Sequence, residues 1–378
     1  MASSKVALPS FQLPLPTAQF MQQYWQKKPL LMRAAATGLQ HPDANTLAGL
    51  TLEDCVESQL ISGTGDGPWN SQSGPFTEQD FSALPKQNWT LLVHSVDHFM
   101  TEVSLLLDGF SFLPSWRVED IMLSYAVKGG SIGPHADRYD TFLLQASGTR
   151  RWQIGSVSDQ GNAQSADQNT DDITAEEFVV LPGDVIYLPP GVDYKGIAED
   201  DNCITWSVRF RAPAPVDLLA RLADEAIERG TDQTRYVDPQ RGPCAQSELL
   251  SDNDLDSLRE QALKLVTRSV MRDALSALLS ESHQSAGLDF EVDCDHIAAA
   301  SADTVMVRHG AVRLLIDGLG DAWINGEKCA LNDQQRPLVT LLAHQRRYTE
   351  IELQPLLNDD SEALMEEWID AGYFAVIE

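Results

Sequence analysis

Gly133-Pro134-His135-Ala136-Asp137 is the stretch whose reading decides the fold. Residues i and i+2 of a strand point to the same face, so His135 and Asp137 can aim an imidazole and a carboxylate at one point. A bare His-x-Asp occurs often by chance. Here Gly129, Gly130, Gly133 and Pro134 precede it and the strand-like run Thr141 to Gln145 follows, which points to two metal ligands inside a β-barrel.

Working outward, short apolar runs bounded by Gly and Pro surround that stretch. Trp89 to Val96, Ile121 to Val127, Thr141 to Gln145, Arg151 to Ile154, Phe178 to Leu181, Val185 to Leu188 and Cys203 to Phe210 have the length and spacing of antiparallel barrel strands. The polar stretch Ser156 to Glu176 reads as a long surface loop, and residues 20 to 60 read as helical from the spacing of Phe20, Met21, Tyr24 and Trp25. In Gly148-Thr149-Arg150-Arg151-Trp152 alternate residues share a face, so one arginine can point inward and hold a carboxylate through two parallel hydrogen bonds. Solvation of both on an acidic surface is the plainer alternative. Leu181-Pro182-Gly183-Asp184 is a turn, and the strand after it ends in a second turn at Pro189-Pro190-Gly191.

Beyond Pro215 the texture is helical. Leu218, Leu219, Leu222, Ala223, Ala226 and Ile227 fit one amphipathic helix, and Leu255 to Leu265 and Met271 to Leu279 fit a further pair. From about residue 300 strands and helices mix, with a tight-turn signal at Asn325-Gly326. A winged-helix shape is expected there, and the lack of any basic run beyond Arg346-Arg347 argues against direct nucleic-acid binding.

Bulk properties agree. At 378 residues the chain exceeds one ordinary core. With 43% hydrophobic and 22% charged residues it is folded rather than disordered. No apolar run is long enough to span a membrane, and the N-terminus lacks the apolar core of a secretory signal. Five scattered cysteines suit a reducing, cytoplasmic setting. A net charge of −29 repels phosphates and favours basic partners, although acidity also serves solubility alone.

Longer motifs then bring a resemblance. Tyr24-Trp25-Gln26-Lys27-Lys28-Pro29, Gly74-Pro75-Phe76, Asn88 to Val93, Leu113-Pro114-Ser115-Trp116-Arg117, Gly133 to Asp140, Arg150-Arg151-Trp152, Pro189-Pro190-Gly191 and Ser207 to Pro213 occur in one order. With them the sequence resembles the JmjC-type cupin oxygenases of bacteria that hydroxylate an arginine of a large-subunit ribosomal protein. The resemblance implies a mixed α and β chain with a double-stranded β-helix (cupin) catalytic domain over residues 1–213. A helical dimerisation region over 214–298 and a winged-helix-like domain over 299–378 would follow, in a homodimer. It implies iron(II) held by His135 and Asp137, and 2-oxoglutarate as co-substrate with Arg150 on its distal carboxylate. Ser124 and Thr205 would line that pocket, and the partner would be a basic ribosomal protein.

One position departs from the pattern. The second histidine ligand of the family falls three residues beyond the Pro-Pro-Gly turn, and Tyr194 stands there. Its phenolate could ligate iron, Asp193 could turn inward instead, or the site could hold metal weakly through two ligands and turn over little. The last alternative describes an impaired or inactive cupin-type binding protein.

Overall fold

Strand alternation builds the barrel, and Cys203–Phe210 shows how: Ile204, Trp206, Val208 and Phe210 enter an apolar core, which leaves Thr205, Ser207 and Arg209 on the opposite face. The computed structural model describes residues 7–39, 42–64, 67–157, 176–211, 213–230, 235–243, 246–282, 292 and 294–377. At the N-terminus β1 (Ser10–Phe11) pairs with β3 (Ala36–Thr37). The larger sheet runs in the order β2 (Leu30–Met32), β12 (Val185–Leu188), β9 (Thr141–Ser147), β14 (Cys203–Phe210), β7 (Val118–Ala126), β6 (Trp89–Val93), β4 (Ser58–Ser62) and β5 (Asn70–Ser73). The smaller runs β11 (Glu176–Val180), β10 (Arg150–Val157), β13 (Val192–Ala198), β8 (His135–Ala136).

One face of the larger sheet buries an aromatic core of Phe11, Phe20, Phe110, Phe142, Tyr187, Trp206 and Phe210, with Phe11 stacked on Phe110 at 4.5 Å. On its other face Leu143, Ile186 and Leu188 meet Trp152, Ile154, Val180, Val192 and Tyr194 of the smaller sheet. Two sheets therefore enclose an interior, as a double-stranded β-helix requires.

The helical reading of residues 20 to 60 is corrected. Helices occupy Thr17–Gln23 and Ala44–Leu50, but Leu30–Met32 pairs with Val185–Tyr187 as a strand of the larger sheet. Long-range ladder bonds override local spacing there. The neighbouring motif docks on the barrel: the Gln26 backbone N–H donates to Tyr187 Oη at 2.7 Å and its side chain to Asp140 at 2.9 Å. Most of the expected loop from 156 to 176 lies outside the described residues. Strand β13 escaped the sequence reading because Lys195 and Gly196 break its apolar texture. Gly196 is required by packing, since a Cβ there would lie 2.5 Å from the Trp152 ring.

Chain contacts define two compact units, Met1–Ala212 with Ser282–Val312 and Asn332–Glu378, and Pro213–Glu281 with Arg313–Leu331. In the second unit helices Pro215–Glu228, Asp252–Leu265 and Arg268–Ser280 occur with strands Leu314–Ile316, Ala322–Ile324 and Glu327–Cys329. Asn325 and Gly326, at φ 48° and 90°, make the left-handed turn between the last two of these strands. In the first unit Thr304–Arg308 pairs with both Arg347–Thr349 and Phe374–Val376, and Val307, Ile297 and Ile377 share a core with Leu105.

Candidate active site

His135 and Asp137 lie at the edge of the smaller sheet, where Tyr194 of β13 is the register partner of His135. The two rings stand 4.2 Å apart between centroids. Gly133 holds φ 83° and leaves room for Trp69, whose Nε1 would lie 2.9 Å from a Cβ at that position. His135 Nδ1 is 3.1 Å from the Gly133 carbonyl, so a proton there leaves Nε2 as the nitrogen with a lone pair. The Gly191 N–H donates to the Asp137 carbonyl at 2.8 Å and ties the Pro-Pro-Gly turn to this segment.

The third position is a phenol. Tyr194 is 5% exposed and its hydroxyl donates to Asp137 Oδ2 at 2.7 Å. Burial, and then the negative charge of Asp137, hold this phenol protonated well above the ordinary tyrosine range. Asp193 is the register partner of Ala136, on the opposite face of the strand from Tyr194, so it does not turn inward. Among the described residues no three His, Cys, Asp or Glu side chains converge on a metal position. His135 and Asp137 thus offer an imidazole and a carboxylate that fit two positions of a three-donor metal site. The third does not fit, because the side chain offered there is a neutral phenol whose proton is engaged by Asp137.

The deep end of the interior is different. Arg150 crosses from β10 to β7, where its Nη2 donates to Ser124 Oγ at 3.1 Å. Its Nε lies 3.5 Å from Cys203 Sγ, and the guanidinium sits 5.5 Å from the Trp152 ring centroid. Arg150 is 4% exposed and pairs with no carboxylate among the described residues. Thr205 faces Ser124 in register and donates to Gln145 Oε1 at 3.0 Å. Arg150, Ser124 and Thr205, which the resemblance named, are linked here through contact and register, and Gln145 and Cys203, which it did not name, join them. Its neighbour Arg151 points outward to Glu177 and Glu199 at 2.7 and 2.5 Å.

Toward the other end of the same strands the sequence reading missed a second polar group. Asp120 accepts from the Ser95 N–H and Oγ at 3.0 and 2.9 Å, from Arg209 Nε at 2.6 Å, and from Arg209 Nη2. Arg209 Nη1 is 3.5 Å from Tyr139 Oη. The signal that could have found them is the polar alternation Thr205, Ser207, Arg209 along β14 and Asp120, Ser124 along β7.

A JmjC domain model matches residues 105–218. The chain is 31% identical over 96% of its length to the ribosomal protein uL16 3-hydroxylase of Escherichia coli, of which it covers 98%. It belongs to this ribosomal oxygenase family. A probable ribosomal oxygenase of Haemophilus influenzae is 32% identical over 68% of the chain and 65% of that protein. The solved Escherichia coli ribosomal oxygenase YcfD superposes with a TM-score of 0.79 in its complex with cobalt and succinic acid, at 31% identity, covering 98% of this chain and all of that one. Its complex with cobalt and 2-oxoglutarate gives 0.77 at the same identity and coverage. The JmjC cupin architecture of the family is therefore the architecture of this chain.

Proposed function

We propose that the protein is a 2-oxoglutarate-dependent hydroxylase of a basic side chain, an arginine, on a large-subunit ribosomal protein. The observation that carries this reading is Arg150, a buried guanidinium with a hydroxyl on one side and no carboxylate among the described residues to balance it. A buried unpaired cation costs several kcal/mol, so a site that keeps one is built for an anion. A dicarboxylate reaching from Arg150 past Ser124 and Thr205 meets that need, and the relatives that bind 2-oxoglutarate or succinate support it. Iron(II) is the metal this reading calls for, with His135 and Asp137 as its protein donors.

The net charge of −29 favours a basic partner by attraction at a distance, and a cytoplasmic setting follows from a ribosomal substrate. No described helix is long and apolar enough to cross a membrane. Residues 1–213 would form the catalytic domain, 214–298 a dimerisation region and 299–378 a winged-helix-like part. The exposed Val216, Leu219, Leu255 and Leu258 on the helices of the second region support a homodimer. The test is aerobic turnover with iron(II), 2-oxoglutarate and an arginine-containing peptide. Succinate release together with one added oxygen on the arginine is expected, and bound 2-oxoglutarate with neither product would refute the reading.

Tyr194 favours a second reading. With its hydroxyl on Asp137 in place of a third donor, the chain would bind 2-oxoglutarate and a basic peptide but turn over little. Under this reading Tyr194→His raises anaerobic iron(II) affinity at least about tenfold and raises turnover with it. No change in either places the third donor elsewhere.

A further inference from the structure

Asp120 and Arg209 form a forked ion pair on the pocket face of β7 and β14, in direct register with each other. Ser124 and Thr205, which line the Arg150 end, are register partners on the same face of the same strands. Four residues separate the two pairs, about 13 Å at roughly 3.3 Å per residue. The pocket therefore has an anion-seeking guanidinium at one end and a guanidinium already seated on a carboxylate at the other. Tyr139, two residues beyond Asp137, lies against the second end, with its hydroxyl 3.5 Å from Arg209.

Fold stability alone does not account for this pair. Replacing a buried ion pair by packed apolar residues is often neutral or stabilising. The two partners are also unequally covered: the Asp120 side chain is 3% exposed and that of Arg209 is 17% exposed. The carboxylate lies within and the guanidinium closes over it from the solvent side. Two donors from Ser95 hold Asp120 in place independently of Arg209.

We infer that Arg209 is a built-in occupant of a guanidinium site on Asp120 and sets the access of cationic side chains to the pocket. A guanidinium arriving from solvent finds its carboxylate taken and must displace a tethered competitor of the same chemistry. Tethering gives that competitor a local concentration in the millimolar range or above, so vacating it raises the apparent affinity of an incoming guanidinium. The inference rests on the proposed basic substrate only for its biological meaning; the guanidinium site itself does not depend on it.

The test titrates ethylguanidinium onto the full chain by ligand-observed NMR. Wild type is compared with Arg209→Ala, Arg209→Lys and the double variant Arg209→Ala with Asp120→Asn, and 2-oxoglutarate binding reports that each pocket is folded. Arg209→Ala should bind ethylguanidinium at least about tenfold tighter than wild type, and the double variant should lose that gain. Arg209→Lys, which keeps a charge but loses the fork, should fall between them, and it carries the test if the alanine variant does not fold. Equal affinity in wild type and the Arg209 variants, or a gain that survives in the double variant, overturns the inference. A single-arginine peptide is titrated alongside. If Arg209→Ala takes ethylguanidinium and refuses the peptide, the guanidinium site stands and the arginine-substrate reading falls.

Discussion

Replacing Arg150 with methionine should abolish co-substrate binding without weakening the fold. The guanidinium is 4% exposed, with Ser124 Oγ at 3.1 Å, Cys203 Sγ at 3.5 Å and the Trp152 ring at 5.5 Å as its partners. Losing those contacts costs about 1–3 kcal/mol. Removing a buried cation that pairs with no carboxylate among the described residues returns several kcal/mol of desolvation, and methionine fills most of the volume. The net effect on unfolding free energy is near zero or a gain of about 1–2 kcal/mol. For 2-oxoglutarate the balance reverses. Two charge-assisted hydrogen bonds of about 1.5–3 kcal/mol each vanish, so affinity should fall roughly 100- to 10,000-fold. Calorimetric titration of 2-oxoglutarate and urea unfolding without ligand measure the two quantities. Affinity retained within tenfold would show that Arg150 is not the anchor. A loss of more than about 2 kcal/mol in stability would show that its charge is already compensated.

Three further outcomes follow from the geometry. Burial, and next the positive charge of Arg209, depress the pKa of His94 below its ordinary 6.5, so the folded chain takes up this proton less readily than the unfolded one. Its contribution to stability is constant above about pH 6.5 and declines below it by up to about 1.4 kcal/mol per pH unit; His94→Gln should flatten that limb of the urea midpoint against pH. Gly133→Ala puts a Cβ at φ 83° against Trp69 and should cost about 1–3 kcal/mol by urea unfolding, with a change in the His135 imidazole NMR signals as its local mark. Phe142→Ala opens the aromatic core between Phe110 and Tyr187, at 5.0 and 4.9 Å, and should cost about 3–5 kcal/mol in the same measurement.

The barrel was legible wherever a strand alternates cleanly or carries a Pro-Gly boundary, as in Val185–Leu188 and Cys203–Phe210. It was illegible where long-range pairing decides: Leu30–Met32 is a strand only because β12 lies beside it. At the site, His135 and Asp137 stood out through a short motif, whereas Arg150 was told from Arg151 only by the resemblance. Asp120 and Arg209 lie 89 residues apart with no motif between them, and only strand register brings them together. Tyr194 was visible as a departure from pattern, but the role of its proton was not. That needed the 2.7 Å contact with Asp137.

Strands β7 and β14 also act as a ruler. The Ser124–Thr205 and Asp120–Arg209 pairs are graduated on one ladder, and a ladder lengthens only in whole residues. A slip of one residue would turn Ile121, Leu123 and Trp206 into the polar interior and drive Ser124 and Thr205 into the aromatic core. The span between the Ser124–Thr205 pair and the Asp120–Arg209 pair can therefore change only in steps of two residues, roughly 7 Å. Finer adjustment to the length of a bound side chain falls to the residues that project between the marks. Those residues are Met122 and Ser207, register partners midway along the scale.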